Sequence, residues 1–112
     1  MTILGQIWRA VGRCLWNAGT VRYEKMIADC ESAVESVSEF LTDEFCDDIR
    51  SYFYARESCL GIETLIVGLC EFNARLSEEQ FRAVEVAAIE VGVSTDRIGD
   101  LRSLVVEFDA LD

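Results

Sequence analysis

Proline is absent from the 112 residues, and only seven are glycine. Tight turns draw on those two residue types for backbone angles that others resist. A chain with so few of them has little to spend on hairpins and leans towards helices joined by short loops. The spacing of apolar residues agrees. Ile3, Leu4, Ile7, Val11, Cys14 and Leu15 recur at helical intervals and predict an amphipathic helix over 3–17, ended near Gly19. A second is predicted over 21–40, with Met26, Ile27, Cys30, Ala33, Val34, Val37 and Leu41 inward. A third begins after Thr42, a plausible N-cap, with Phe45, Ile49, Tyr52 and Phe53 on its inner face. The fourth is the apolar run over 57–73.

The fifth has the clearest start. Ser77-Glu78-Glu79-Gln80 is a capping box, Phe81, Val84, Ala87, Ala88 and Val91 supply the period, and Gly92 suits the residue after the end. A last helix is predicted from Thr95, with Ile98, Leu101, Leu104, Val105 and Phe108 inward. With 51% apolar residues the chain can bury one core. The expectation is an all-α fold, a single compact antiparallel bundle of five or six helices over 1–112.

Histidine is also absent. The commonest general acid/base and the commonest metal ligand are therefore missing, and the expectation is no enzyme, no catalytic residue and no cofactor. Cys14, Cys30, Cys46, Cys59 and Cys70 are odd in number and show no C-x-x-C pair. That pattern fits buried thiols rather than a zinc site or disulfide framework. Arg9 and Arg13 interrupt the N-terminal apolar run, so it reads neither as a secretory signal nor as a membrane span. A cytoplasmic location is expected.

Charge points to a partner. The net charge is −11. Such a surface repels nucleic acid and anionic membrane, and attracts a basic protein. Residues 1–23 carry three arginines and no acid, whereas 24–57 carry ten acids against Lys25, Arg50 and Arg56. Glu31, Glu35 and Glu39 recur at i, i+4 and i+8, a like-charge spacing that costs a helix about 0.2–0.5 kcal/mol per pair. Two readings are open: a plain solvated face, or a surface complementary to a basic partner. Asp43 and Glu44 lie in a first helical turn, where the macrodipole accounts for them. Asp47 and Asp48 lie deeper, so partner contact gains weight there. No D-x-D-x-D-G loop is present, so no metal is expected. Tyr54 points off its apolar stripe, and Trp16 falls near Arg9 and Gly12, where it either anchors a partner or folds back on the next segment. The candidate partner-binding residues are Glu31, Glu35, Glu39, Asp47, Asp48, Tyr54 and Trp16.

Glu63 stands inside the most apolar run, RESCLGIETLIVGLCE over 56–71. On a helical wheel it falls between Val67 and Cys70, away from the small face of Gly61, Thr64 and Gly68. An unpaired carboxylate buried there would be costly, so it is expected to reach an arginine, a helix N-terminus or the solvent edge. That run, followed by LSEEQFRAVEVAAIEVGV and LRSLV, resembles the MafI-like immunity proteins of Maf and contact-dependent growth inhibition systems. Glu57, Glu63, Leu65, Cys70, Ser77, Glu78, Glu79 and Gly92 carry the resemblance. It spans a little over half the chain, from about 40 to 105. Ser58 and Cys59 depart from it, and the first twenty residues have no counterpart. The resemblance implies a small helical protein that binds and neutralises one cognate toxin. Many such toxins are basic nucleases, EndoU-type endoribonucleases among them. The rival reading is an acidic helical adaptor or regulator that binds a basic protein in a non-toxin pathway.

Overall fold

The computed structural model describes residues 22–106. Helix α1 runs over 22–37 and tightens into a 3-10 turn at Ser38–Phe40. Then come α2 (Asp43–Tyr54), α3 (Ser58–Glu71), α4 (Glu78–Val91) and α5 (Thr95–Arg102). The described residues form an all-α bundle with no strand, as the apolar spacing requires. The expected helix over 3–17 lies outside the described residues.

Three of the helix starts are written in side chains. Thr42 accepts from the Phe45 N–H at 3.1 Å, and Ser94 from that of Arg97 at 3.3 Å. At α4 the capping box closes both ways: Ser77 accepts from the Gln80 N–H at 3.1 Å, and the Gln80 side chain accepts from the Ser77 N–H at 2.9 Å. Gly92 ends α4 at φ 85°, with the Val93 N–H reaching back to the Ala88 carbonyl. That is a Schellman closure, and it favours a residue without a Cβ at the left-handed position. Helices α2 and α3 close the same way, with Arg56 and Asn73 at positive φ.

Helix α3 is the axis of the bundle and packs on α2, α4 and α5. Ile62, Leu65, Ile66 and Leu69 are fully buried, so its apolar residues face more than one neighbour. Its small face receives α2. A Cβ at Gly61 would stand 2.9 Å from Phe53 Cε1, and one at Gly68 would stand 2.5 Å from Phe45 Cζ. The aromatic rings of α2 therefore occupy the space that side chains at these positions would fill.

Helix α1 lies antiparallel to both α2 and α4. Near its start, the Tyr23 hydroxyl donates to the Phe53 carbonyl, while farther along Glu31 pairs with Arg50. On the other side Lys25 pairs with Glu90, and Ser36 meets Gln80. Cys30, Ala33, Val34 and Val37 of α1 are fully buried in the common core with Ile49, Phe53 and Leu76.

The last helix is shorter than expected. It stops at Arg102, and Ser103 and Leu104 form a turn that leads to the bridge residue Val105 instead of continuing as a helical stripe. The Leu76 N–H donates to the Leu104 carbonyl, and the Val106 N–H to the Leu76 carbonyl, forming an isolated parallel bridge between Leu76 and Val105. This pairing satisfies the backbone of buried Leu76, which a longer α5 could not do. Leu104 and Val105 pack against the core from this turn and bridge, and Phe108 lies outside the described residues.

Candidate functional site

The acids singled out above do not form one free stripe. They gather in two places because the helix carrying the first of them ends at 37. Glu39 falls in the 3-10 turn, off the face of α1, and accepts from the Gln80 amide at 2.6 Å. The same amide donates to the Ser36 carbonyl at 3.0 Å. Glu39 and Gln80 thus tie the end of α1 to the start of α4.

Glu31 turns the other way, towards α2. Its Oε2 lies 3.0 Å from Arg50 Nε, and its Oε1 accepts from the Tyr54 hydroxyl at 3.3 Å. Arg50 Nη1 also stands 3.6 Å from Asp47 Oδ1. One guanidinium therefore holds a carboxylate on each helix, and Glu31 pushes the ionisation of Arg50 still higher by hydrogen bonding to its charged form. Glu31 and Glu39 each have a cross-helix partner, so neither is part of a plain solvated stripe. The charge cost along α1 is offset by tertiary contacts, which i, i+4 spacing does not reveal.

Glu35, on the same side of α1, has no such partner among the described residues and is exposed. With Glu31, Ser32 and Ser36 it lines an open groove of about 310 Å³. Asp47 and Asp48 are exposed on α2, and Tyr54 is 69% exposed. The result is an acidic face across α1 and α2: Glu31 fixed by Arg50, Glu35, Asp47 and Asp48 facing solvent, and an aromatic ring at one end. Trp16, the other candidate anchor, lies outside the described residues.

Sequence reasoning passed over Arg50, which organises this face. Its i+3 spacing from Asp47 was visible, but Glu31 lies nineteen positions away and only the packing of α1 on α2 joins them. A second group was also passed over, at the far end of α1. Lys25 Nζ lies 2.8 Å from Asp29 and 3.6 Å from Glu90 of α4. Hydrogen bonding to Glu90, and then to Lys25, holds the Asp29 carboxyl below its ordinary range, while Asp29 pushes that of Glu90 up against the opposing pull of Lys25.

Glu63 is half-buried at the solvent edge of α3, with the Cys59 thiol 3.7 Å away as a weak donor. Cys30, Cys46, Cys59 and Cys70 are all free thiols. Burial pushes the Cys30 thiol up to about 12, and raises the other three as well. None of them is poised as a nucleophile, which needs the thiolate near neutral pH. Cys14 lies outside the described residues. Among the described residues no three Cys, Asp or Glu side chains converge as a metal site would require, and no helix is long and apolar enough to cross a membrane. The chain matches no protein-family model, no curated protein and no solved structure.

Proposed function

We propose that this chain is a cytoplasmic immunity protein that binds and neutralises a cognate toxin of a contact-dependent inhibition or Maf system. The observation that carries the reading is the acidic face of α1 and α2, where Glu35, Asp47 and Asp48 are exposed around the held Glu31. The resemblance of about 40–105 to MafI-like immunity proteins supplies the toxin context. The cognate toxin is a basic nuclease on this reading. Its site attracts phosphates, and the carboxylates of the face stand where phosphates would, while the bundle covers the cleft. Complementary charge speeds the encounter, and contacts of the Tyr54 kind slow dissociation.

The test is co-purification of a tagged full-length chain from its native cell, followed by a nuclease assay of what comes with it. The reading expects a basic protein whose nuclease activity is blocked by the chain and returns on its removal. A basic partner with no toxic activity would establish the adaptor reading instead. An acidic or membrane partner would exclude both.

A further inference from the structure

Helix α3 is apolar on more sides than α2, α4 and α5 cover. Leu60, Thr64, Val67 and Glu71 fall at i, i+4, i+7 and i+11 along one side of it, and none of them is buried. Leu60 is 47% exposed, and Phe72, just past the end of the helix, 53%. A helix apolar on this many sides is ordinarily covered all round. The near edge of α2 continues this surface. Tyr52 is level with Gly61 and Phe45 with Gly68, and Phe72 stands edge-on to Phe45 with ring centroids 6.2 Å apart. Asp48, three residues after Phe45 and four before Tyr52, lies between them and is exposed.

Charge decides what this surface takes. Helix α3 carries no basic residue, and Arg50, the only one on α2, turns away towards Glu31. Asp48 and Glu71 meet no basic side chain among the described residues. An apolar line bordered by unanswered carboxylates is complementary to a segment whose apolar stripe is flanked by cations. A second copy would bring the same carboxylates, and nucleic acid or an anionic membrane would bring phosphates, so none of these is complementary. From Leu60 to Phe72 the line runs about 18 Å at the usual helical rise, or about three turns of a docked helix. We propose that the outer side of α3, with the near edge of α2, docks a basic amphipathic helix of the protein partner. Leu60, Val67 and Phe72 meet its apolar stripe, and Asp48 and Glu71 meet its cations. The inference deepens the toxin reading and rests on it for the partner, extending the contact from the acidic face of α1 and α2 across Asp48 to α3.

The probe is a fluorescein-labelled synthetic peptide of leucine and lysine, ordered so that the leucines form one helical stripe. A peptide of the same composition, shuffled to break the stripe, is the control. Anisotropy titrations with the full-length chain at physiological ionic strength read both. The ordered peptide is expected to bind at least about tenfold more tightly than the shuffled one, and Leu60→Ser with Phe72→Ser to remove about that factor. Leu60→Ser alone, outside the packed core, moves affinity the same way without disturbing the contact of Phe72 with Phe45. Val86→Ser with Ile89→Ser, at the exposed aliphatic residues of α4, should leave affinity unchanged. Asp48→Asn with Glu71→Gln should weaken binding and flatten its fall with salt. Equal affinity for the two peptides, or an affinity indifferent to Leu60, would overturn the inference. So would a loss on the α4 substitutions as large as on those of α3. The assay contains no toxin, so a partner without nuclease activity would remove the toxin reading and not this surface.

Discussion

Adding one methyl group at Gly61 tests how closely α2 and α3 approach. Alanine is the better helix former by about 1 kcal/mol, so a Gly→Ala change in a helix stabilises wherever there is room. At Gly61 there is none. The new Cβ would lie 2.9 Å from Phe53 Cε1, 3.2 Å from Phe53 Cδ1 and 3.0 Å from Tyr52 Cβ. Favourable carbon contacts lie at about 3.5–4.0 Å. Phe53 is fully buried, and the Cβ of Tyr52 is fixed to the backbone of α2, so relief requires α2 to move outward. Overpacking of this kind costs about 1–3 kcal/mol. The net expectation for Gly61→Ala is a loss of about 1 kcal/mol, the balance of that clash and the gain in propensity. Gly99 in α5 is the control, because a Cβ there meets nothing within 4 Å. Gly99→Ala should therefore gain about 1 kcal/mol, leaving the two variants about 2 kcal/mol apart. Urea unfolding followed by far-ultraviolet circular dichroism measures both. Equal stabilisation by the two substitutions would refute the close packing of α3 on α2.

Glu31→Gln should cost about 0.5–1 kcal/mol, since it weakens a partly exposed pair with Arg50, while Glu35→Gln should raise stability by about 0.2–0.5 kcal/mol by relieving its repulsion with Glu31. Thermal melts of the two variants compare them directly, and equal melting points would remove the cross-helix role of Glu31. The Cys30 thiol gives a pH dependence. It ionises near 9.0 when unfolded and near 12 when folded, so the folded state holds its proton more tightly. Its contribution is intact below the lower value and declines between the two, by up to about 1.4 kcal/mol per pH unit. Cys30→Ala should flatten the alkaline fall of the urea midpoint, although it lowers stability at neutral pH.

The helices were legible where local chemistry alone sets them. Ser77-Glu78-Glu79-Gln80 and Gly92 mark the ends of α4, and Thr42 marks the start of α2, because caps depend on residues a few positions apart. The end of α5 was not legible, because Leu104 and Val105 fit an inward helical stripe equally well. What stops the helix there is pairing with Leu76, a contact between distant segments. The left-handed closure at Arg56 was hidden for a related reason. Arginine carries no turn signal, and its position is held by stacking over Tyr23 at 5.4 Å as well as by the closure itself. The acidic face was half legible. Asp47, Asp48 and Tyr54 were placed on the outer side of α2 from their spacing, and they are exposed. The partners of Glu31 and Glu39 came only with the packing of α1 between α2 and α4.

The most direct test of the proposed role is the affinity of the co-purified partner for the full-length chain, measured by calorimetry across a range of salt. Glu35→Arg, Asp47→Arg and Asp48→Arg together reverse the exposed charges and keep both Glu31 and Arg50, at the loss of the 3.6 Å contact between Asp47 and Arg50. Wild-type binding should weaken steeply as salt rises, and the triple variant should lose affinity by several orders of magnitude while keeping the same circular dichroism spectrum. Undiminished affinity in the triple variant, with the same salt dependence as wild type, would contradict the assignment of this face.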